Sequence, residues 1–177
     1  MKTQCLLAVA WLAAATAWGA DYHPLDIKTG QWENTMKSQT SGAPPVPAEL
    51  LERLTPEQRA KMEAAMKARA AQGPRTTVTK SCITKDQLAK PLELGEEQEK
   101  SCTRTLITST SSRQEITFTC LIAGIKSTGT MHIDAVDSGN IKAHMTMNMT
   151  SSSGTSTNNL DFTARWLGPI CTEKDGK

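Results

Sequence analysis

This chain of 177 residues is poor in aromatic side chains, with four tryptophans, two phenylalanines and one tyrosine. Trp11 and Trp18 fall in an N-terminal segment that we expect to be removed, so the remaining core must rely on Ile, Leu, Val and Met. Beyond residue 20, no apolar run approaches the roughly 20 residues that a membrane helix needs. We therefore expect no membrane span.

A charge excess of one sign is also missing. The sequence has 20 Lys and Arg against 18 Asp and Glu, a formal net charge of +2. Removal of residues 1–20 takes away Lys2 and no acidic residue, which leaves +1. A near-neutral chain lacks the basic surface by which nucleic acids and acidic membranes are bound. We expect neither as a partner.

The motifs of the common enzyme classes are absent. The sequence contains no G-x-S-x-G, H-E-x-x-H, phosphate loop or dinucleotide fingerprint. Residues 151–153 are serines without a base at a known spacing, and the glutamates within residues 96–99 form a solvated charge run. Catalysis needs a base, an orienting group and a stabilising group in one cleft. We predict a non-enzyme that uses no cofactor.

The N-terminus has the pattern of a secretory signal peptide over residues 1–20. Lys2 precedes an apolar run of about a dozen residues, and small residues follow near Ala20. Cys5 precedes that run, whereas a lipidated cysteine would follow it, so we do not expect a lipoprotein. The prediction is a single exported domain over residues 21–177, soluble in a bacterial periplasm or secreted.

Four cysteines remain after removal of the signal: Cys82, Cys102, Cys120 and Cys171. Zinc sites usually contain close pairs such as C-x2-C, but here neighbouring cysteines are at least 18 positions apart. An even count in an oxidising compartment favours structural disulfides. We favour Cys82–Cys102 with Cys120–Cys171. If Leu106 pairs with Ile116 across a hairpin, however, Cys102 lies opposite Cys120, and those two bond instead.

The rest of the chain alternates apolar and polar residues, as strands do. Strands are predicted over residues 30–40, 75–83, 101–109, 113–122, 125–136, 140–150 and 155–167. A helical insertion is predicted over residues 48–72, restarted at Thr55 by a capping box with Gln58 and lying on the surface. A second capping box joins Thr84 to Gln87. The predicted fold is mainly β: a curved antiparallel meander sheet, either a half-barrel or a barrel, with one inserted α-helix and disulfide bonds.

One strand concentrates methionine and histidine. Residues 144–149 read His-Met-Thr-Met-Asn-Met, and Met131-His132 lie on the preceding strand. If the turn between these strands centres on Ser138, Met131 faces Met145 and His132 faces His144. Thioethers and imidazoles are ligands that a copper carrier would use. The candidate metal ligands are therefore His132, His144, Met145, Met147 and Met149.

Two considerations favour a simpler interpretation of this patch. Alternation places Met and His on opposite faces, and methionine is also an ordinary core filler. We therefore predict a non-catalytic binding module for a small apolar ligand or an envelope protein. Copper handling through the Met/His patch is the alternative.

Several motifs together resemble the bacterial exported family DUF3617, a domain of unknown function. They are Gly30-Gln31-Trp32, Pro56-Glu57-Gln58-Arg59, Cys82-Ile83-Thr84 and a terminal Arg165-Trp166-Leu167-Gly168-Pro169 followed by a cysteine. Ile170 departs from the pattern, since members usually have the cysteine directly after the proline. The resemblance implies an exported β-domain and no particular activity. The G-x-W start also resembles lipocalins, which implies Arg165 packed over Trp32, although the long helix after the first strand does not fit that family.

Overall fold

The computed structural model describes residues 20–70, 73–91 and 100–171. The predicted signal peptide except Ala20, the charge run within residues 96–99 and the last six residues lie outside the described residues. The elements are β1 Gly30–Gly42, α1 Ala48–Arg53, α2 Pro56–Ala70, β2 Arg75–Ile83, α3 Lys85–Leu88, β3 Cys102–Ser109, β4 Arg113–Ile122, β5 Ile125–Asp137, β6 Asn140–Ser151 and β7 Gly154–Gly168.

The seven strands form one antiparallel sheet in the order β2-β1-β7-β6-β5-β4-β3. Strands β3 to β7 follow one another as a meander, and β1 then pairs with β7. The sheet is open, with β2 and β3 as its edges. The predicted mainly β meander is confirmed, and of the two forms predicted for it the closed barrel is not formed.

The helical insertion has the capping predicted from the sequence. The Thr55 hydroxyl accepts from the Gln58 N–H at 3.3 Å, and the Gln58 side chain accepts from the Thr55 N–H at 2.9 Å. Thr84 and Gln87 repeat the arrangement at α3. On α2, Met62 and Met66 are half-buried and the other described side chains are exposed, so the predicted surface position is confirmed.

The two faces of the sheet differ sharply in polarity. Residues paired across antiparallel strands point to the same face, so the register assigns each side chain to a face. One face, the apolar face, carries Trp32, Leu106, Ile116, Phe118, Met131, Ile133, Ile141, Met145, Met147, Met149, Leu160, Phe162, Ala164 and Trp166. The other, the polar face, carries charged residues, histidines and many threonines. The apolar face also carries some polar side chains, among them Asn34, Arg104, Gln114, Ser127, Ser156 and Asn158.

A compact core lies at one end of the apolar face. Trp32 is fully buried and packs with Ile141 and Ala164, and Phe162 and Trp166 pack against them. The Trp32 indole N–H donates to the Lys28 carbonyl at 3.0 Å, which satisfies its one polar atom. The expectation of an aliphatic core is therefore wrong at this end, where three of the few aromatic residues are gathered.

Residues 20–29 form a strap that crosses this end of the sheet. The Ala20 N–H donates to the Leu106 carbonyl at 3.0 Å, and the Lys28 N–H donates to the Ser138 carbonyl at 2.8 Å. Between them, the Asp26 N–H donates to the Ser111 carbonyl at 2.7 Å. The strap thus links edge strand β3 to the β5–β6 turn and then enters β1.

The disulfides are Cys82–Cys171 and Cys102–Cys120. The favoured pairing is therefore wrong, and the alternative based on hairpin register is correct. Leu106 does pair with Ile116, which sets Cys102 directly opposite Cys120. Cys102 bonds to Cys120 rather than to Cys82, because directly opposed residues on paired strands have the closest Cβ atoms. The short distance in sequence between Cys82 and Cys102 does not decide the pairing.

The contact implied by the lipocalin likeness is not formed. Glu33, not Trp32, lies opposite Arg165, and the Arg165 guanidinium binds the Glu33 carboxylate at 3.0 Å on the polar face. Trp32 points to the other face. Lys28 takes a comparable position over Trp166, with its Nζ 4.6 Å from the centre of that ring.

The β5–β6 turn lies at Asp137-Ser138-Gly139, as the register considered from the sequence requires. The Asp137 carboxylate accepts from the Gly139 N–H at 2.7 Å and from the Asn140 side-chain amide. Both hydrogen bonds lower the pKa of Asp137 below its ordinary value. The bond from the Gly139 backbone has the larger effect and the bond from Asn140 the smaller. The ionised Asp137 therefore stabilises the folded protein at pH values above its pKa in the unfolded chain. This stabilisation is lost as the pH falls through the lower pKa of the folded state.

In the β4–β5 turn, Ala123 has a backbone conformation that glycine adopts at lower cost. Ala123 has φ 49° and Gly124 has φ 75°, both left-handed, as a type I′ hairpin turn requires. A left-handed residue with a Cβ costs about 1–2 kcal/mol, which exceeds the entropy that glycine loses on folding. We expect Ala123→Gly to raise the free energy of unfolding by about 0.5–1 kcal/mol, measured by urea denaturation.

The neighbouring glycine supplies the control. A Cβ at Gly124 would meet no atom within 4 Å, so Gly124→Ala tests backbone conformation alone and is expected to destabilise. An Ala123→Gly variant no more stable than the parent would show that this turn does not store the expected strain.

Candidate functional site

The apolar face is only partly covered. Away from the tryptophan core, eight of its side chains are half-buried. We call this surface the methionine face, and it consists of Leu106, Ile116, Phe118, Met131, Met145, Met147, Met149 and Leu160. Within the described ranges, the helix α2 contacts the sheet along β1, and no helix makes more than marginal contact with β3 to β7. The methionine face is therefore an apolar surface without a packed layer from the described helices.

A cavity of about 640 Å³ opens on the β3–β4 side of this face, beneath the strap. Its volume lies within the range of roughly 300–1,000 Å³ that is usual for sites of small ligands, and it is open to solvent along one side rather than enclosed. Leu106 and Ile116 form its apolar wall, and Arg104 is the charged residue among those that line it. The lining consists of Ala20, Tyr22, Pro91, Cys102, Thr103, Arg104, Leu106, Gln114 and Ile116.

The polar groups around this cavity are held in place. The Tyr22 hydroxyl donates to the Leu88 carbonyl at 2.7 Å, which connects the strap to α3. The Gln114 amide donates to the His23 carbonyl at 2.9 Å, which connects the strap to β4. Fixed polar groups beside an apolar wall are what a binding site needs in order to orient a ligand.

Gly129 shapes the middle of the methionine face. It lies opposite Phe118 on β4 and Met147 on β6. A Cβ at this position would overlap the Phe118 ring and the Thr146 carbonyl. The glycine therefore allows the phenylalanine ring to lie across β5, where it extends the apolar surface from β4 towards the methionines.

The register brings the candidate methionines together on one face of the sheet, and it places the two histidines on the opposite face. Met131 is paired with Met145, as predicted, and Met147 and Met149 follow on the same face. His132 is paired with His144, also as predicted, but both point to the polar face. The combined Met/His patch is therefore divided between the two sides of the sheet.

Two carboxylates extend the histidine pair into a row across four strands. Glu115 is opposite His132 on one side, and Asp161 is opposite His144 on the other. The His144 Nδ1 lies 2.8 Å from the Asp161 Oδ1, and the His132 Nδ1 lies 3.7 Å from the Glu115 Oε2. Sequence reasoning missed both carboxylates, although extending the predicted register by one strand on each side would have found them.

Next to this row, the polar face has a second cavity, of about 440 Å³, which is no more open to solvent than the first. It contains the Glu33–Arg165 pair together with Lys142. Its charges make it unsuitable for an apolar ligand. In the described part of the chain, no three or more His, Cys, Asp and Glu side chains converge as a metal site. No helix among the described residues is long and apolar enough to cross a membrane.

Comparison with known proteins gives one finding. The family model described as "Protein of unknown function (DUF3617)" matches residues 27–171, which is most of the chain and includes all four disulfide cysteines. No curated protein and no solved structure matches this sequence.

Proposed function

This chain belongs to the DUF3617 family, and we propose that it is an exported, non-catalytic binding protein for a small apolar or amphipathic ligand. The ligand would lie on the methionine face and enter the cavity beneath the strap. The family description names no activity, so the proposal rests on the geometry of this surface.

One observation supports the proposal most strongly: a row of half-buried apolar side chains that ends at a cavity of about 640 Å³. Apolar patches that solvent can reach often mark a binding surface. Methionine suits such a surface, because its flexible, polarisable side chain adapts to ligands of different shape.

The cavity lining favours a ligand with an anionic end. Arg104 lies in the same lining as Leu106 and Ile116, and a guanidinium makes strong, bidentate hydrogen bonds to carboxylates and phosphates. An acyl chain with an acidic headgroup would set its head at Arg104 and its tail along the strands towards Met131 and Met145. A medium-chain fatty acid is therefore a suitable probe.

Native mass spectrometry of the full chain, purified from the compartment to which it is exported, tests the proposal. We expect a mass above that of the oxidised polypeptide, with the excess released by organic solvent. After delipidation, the protein should take up dodecanoate in a one-to-one ratio. A bare polypeptide mass together with no uptake of dodecanoate would contradict the proposal.

The methionines support a second candidate function, Cu(I) binding by thioethers alone. Its specific support is the pairing of Met131 with Met145, which adds a fourth thioether to Met145, Met147 and Met149. Cu(I) titration against a competing chelator, with the triple Met145→Leu/Met147→Leu/Met149→Leu variant for comparison, tests it. Leucine conserves volume and polarity, so equal weak binding by both proteins would exclude this function.

A further inference from the structure

The polar face carries a pair of histidines for which the proposed function has no role. From their surroundings we infer that His132 and His144 form a binding site for a divalent first-row metal ion, of the Cu²⁺, Ni²⁺ or Zn²⁺ class. The site is separate from the methionine face and lies on the other side of the sheet. It goes beyond the proposed ligand binding and does not depend on it.

The register brings the two imidazoles to one place. His132 and His144 are directly paired across β5 and β6, and side chains in such pairs have Cβ atoms about 4.5–5.5 Å apart. Two rings that rise from the same face at this spacing can bind one ion between them. Both are about half exposed, at 48% and 50% of the side chain, so an ion can reach them from solvent.

The carboxylate beside His144 sets which of its ring nitrogens is available. The Asp161 carboxylate can only accept, so at 2.8 Å the His144 Nδ1 donates its proton to it. The lone pair of the neutral ring is then on Nε2. Glu115 lies on the Nδ1 side of His132, but at 3.7 Å it is too far away to accept a hydrogen bond from this nitrogen. Metal-binding histidines in proteins commonly have the arrangement of His144, with a carboxylate on the nitrogen that does not bind the metal.

The other ring nitrogen of His144 has one neighbour on its own strand. The His144 Nε2 lies 3.2 Å from the Thr146 hydroxyl, which lies 3.1 Å from the Asn159 side-chain oxygen. A metal ion on Nε2 would take the place of this contact with the hydroxyl.

The chemistry of the site sets the class of metal. Neutral imidazole suits Zn²⁺, Cu²⁺ and Ni²⁺, whereas thioethers select Cu(I). Because no third His, Cys, Asp or Glu side chain of the described residues converges on the pair, water would complete the coordination. Of these divalent ions, Cu²⁺ should bind most tightly. The surrounding charged side chains are Glu115, Asp161, Lys142, Lys37 and the ion pair of Asp134 with Arg113.

Calorimetric titration of the full chain, without an affinity tag, with Cu²⁺ at neutral pH tests the inference. We expect one ion per chain and a spectrum in electron paramagnetic resonance with two coordinated imidazole nitrogens. His132→Gln and His144→Gln should each weaken binding on the order of a hundredfold, because either removes the chelate. Asp161→Asn should weaken it about tenfold, and acid pH should weaken it further because protons compete for the same nitrogens.

His23 supplies the matched control. In the strap it makes its contacts through its backbone: the N–H donates to the Ser109 hydroxyl at 2.8 Å, and the carbonyl accepts from Gln114. His23→Gln and the triple Met→Leu variant should bind Cu²⁺ like the parent protein. The inference would be overturned if the double variant His132→Gln/His144→Gln bound Cu²⁺ as tightly as the parent protein, or if His23→Gln lost Cu²⁺ binding.

Discussion

Loss of the Cys82–Cys171 disulfide is expected to lower the free energy of unfolding by about 4.5 kcal/mol, since this bond closes a loop of 89 residues in the unfolded chain. The Cys102–Cys120 bond closes only 18 residues, so its loss should lower the free energy of unfolding by about 3 kcal/mol. Guanidinium denaturation of the two double variants, Cys82→Ala/Cys171→Ala and Cys102→Ala/Cys120→Ala, measures both values.

The position of each bond supports the same ranking. Cys102 and Cys120 are directly paired within a hairpin that backbone hydrogen bonds already hold. Cys171 follows the end of β7, and its bond to Cys82 on β2 ties the two strands that flank β1. Double variants are needed because a single change leaves a free thiol that can form wrong pairs. A larger loss of stability from the Cys102/Cys120 variant would contradict this account.

Trp32→Ala is expected to lower the free energy of unfolding by about 4 kcal/mol, within the range for removal of a buried aromatic side chain. Trp32 is fully buried against Ile141 and Ala164. Its indole N–H also holds the Lys28 carbonyl of the strap. The measurement is urea denaturation, followed by the fluorescence of Trp166, which is the remaining tryptophan in a chain without residues 1–20.

Met36 provides the control for this substitution. It lies on the same strand and the same face as Trp32 but is 40% exposed. Met36→Ala should lower the free energy of unfolding by less than about 1 kcal/mol, since such positions lose little on truncation. If the two variants lose equal stability, the core is not centred on Trp32.

Local sequence pattern was sufficient to predict the strands. Alternation over residues 113–122 and 140–150 reproduced β4 and nearly all of β6, because each strand has one apolar and one polar face. Short turns then fixed the register of neighbouring strands, including the pairs Met131–Met145 and His132–His144.

Contacts between distant parts of the chain were not predictable in this way. The pairing of β1 with β7 joins segments more than 100 positions apart, and no local signal specifies it. The strap was missed for a related reason: its residues bind through their backbone, as Ala20 and Lys28 do, and backbone bonds leave little trace in the sequence. The pairing of Cys82 with Cys171 depends on this long-range arrangement, so the favoured pairing failed.

The candidate site was predicted in part. Alternation identified the methionines as one face, but whether a surface is covered depends on what packs against it. The thin apolar stripe of α2, with Met62 and Met66, indicated a surface helix, and that helix does not pack over the methionine face, whose side chains are half-buried. The cavity could not be predicted, because its walls come from the strap, from Pro91 and from β3 and β4.

The central claim, that the methionine face binds an apolar ligand, is tested most directly by titrating dodecanoate into three forms of the protein. Leu106 and Ile116 are paired in the cavity wall, and Thr105 and Thr117 are the adjacent pair on the polar face. The Leu106→Gln/Ile116→Gln variant should bind on the order of a hundredfold more weakly, because burial of each side chain contributes about 1.5–3 kcal/mol. The Thr105→Gln/Thr117→Gln variant should bind like the parent protein. Equal affinities for all three, or no binding by the parent, would contradict the claim.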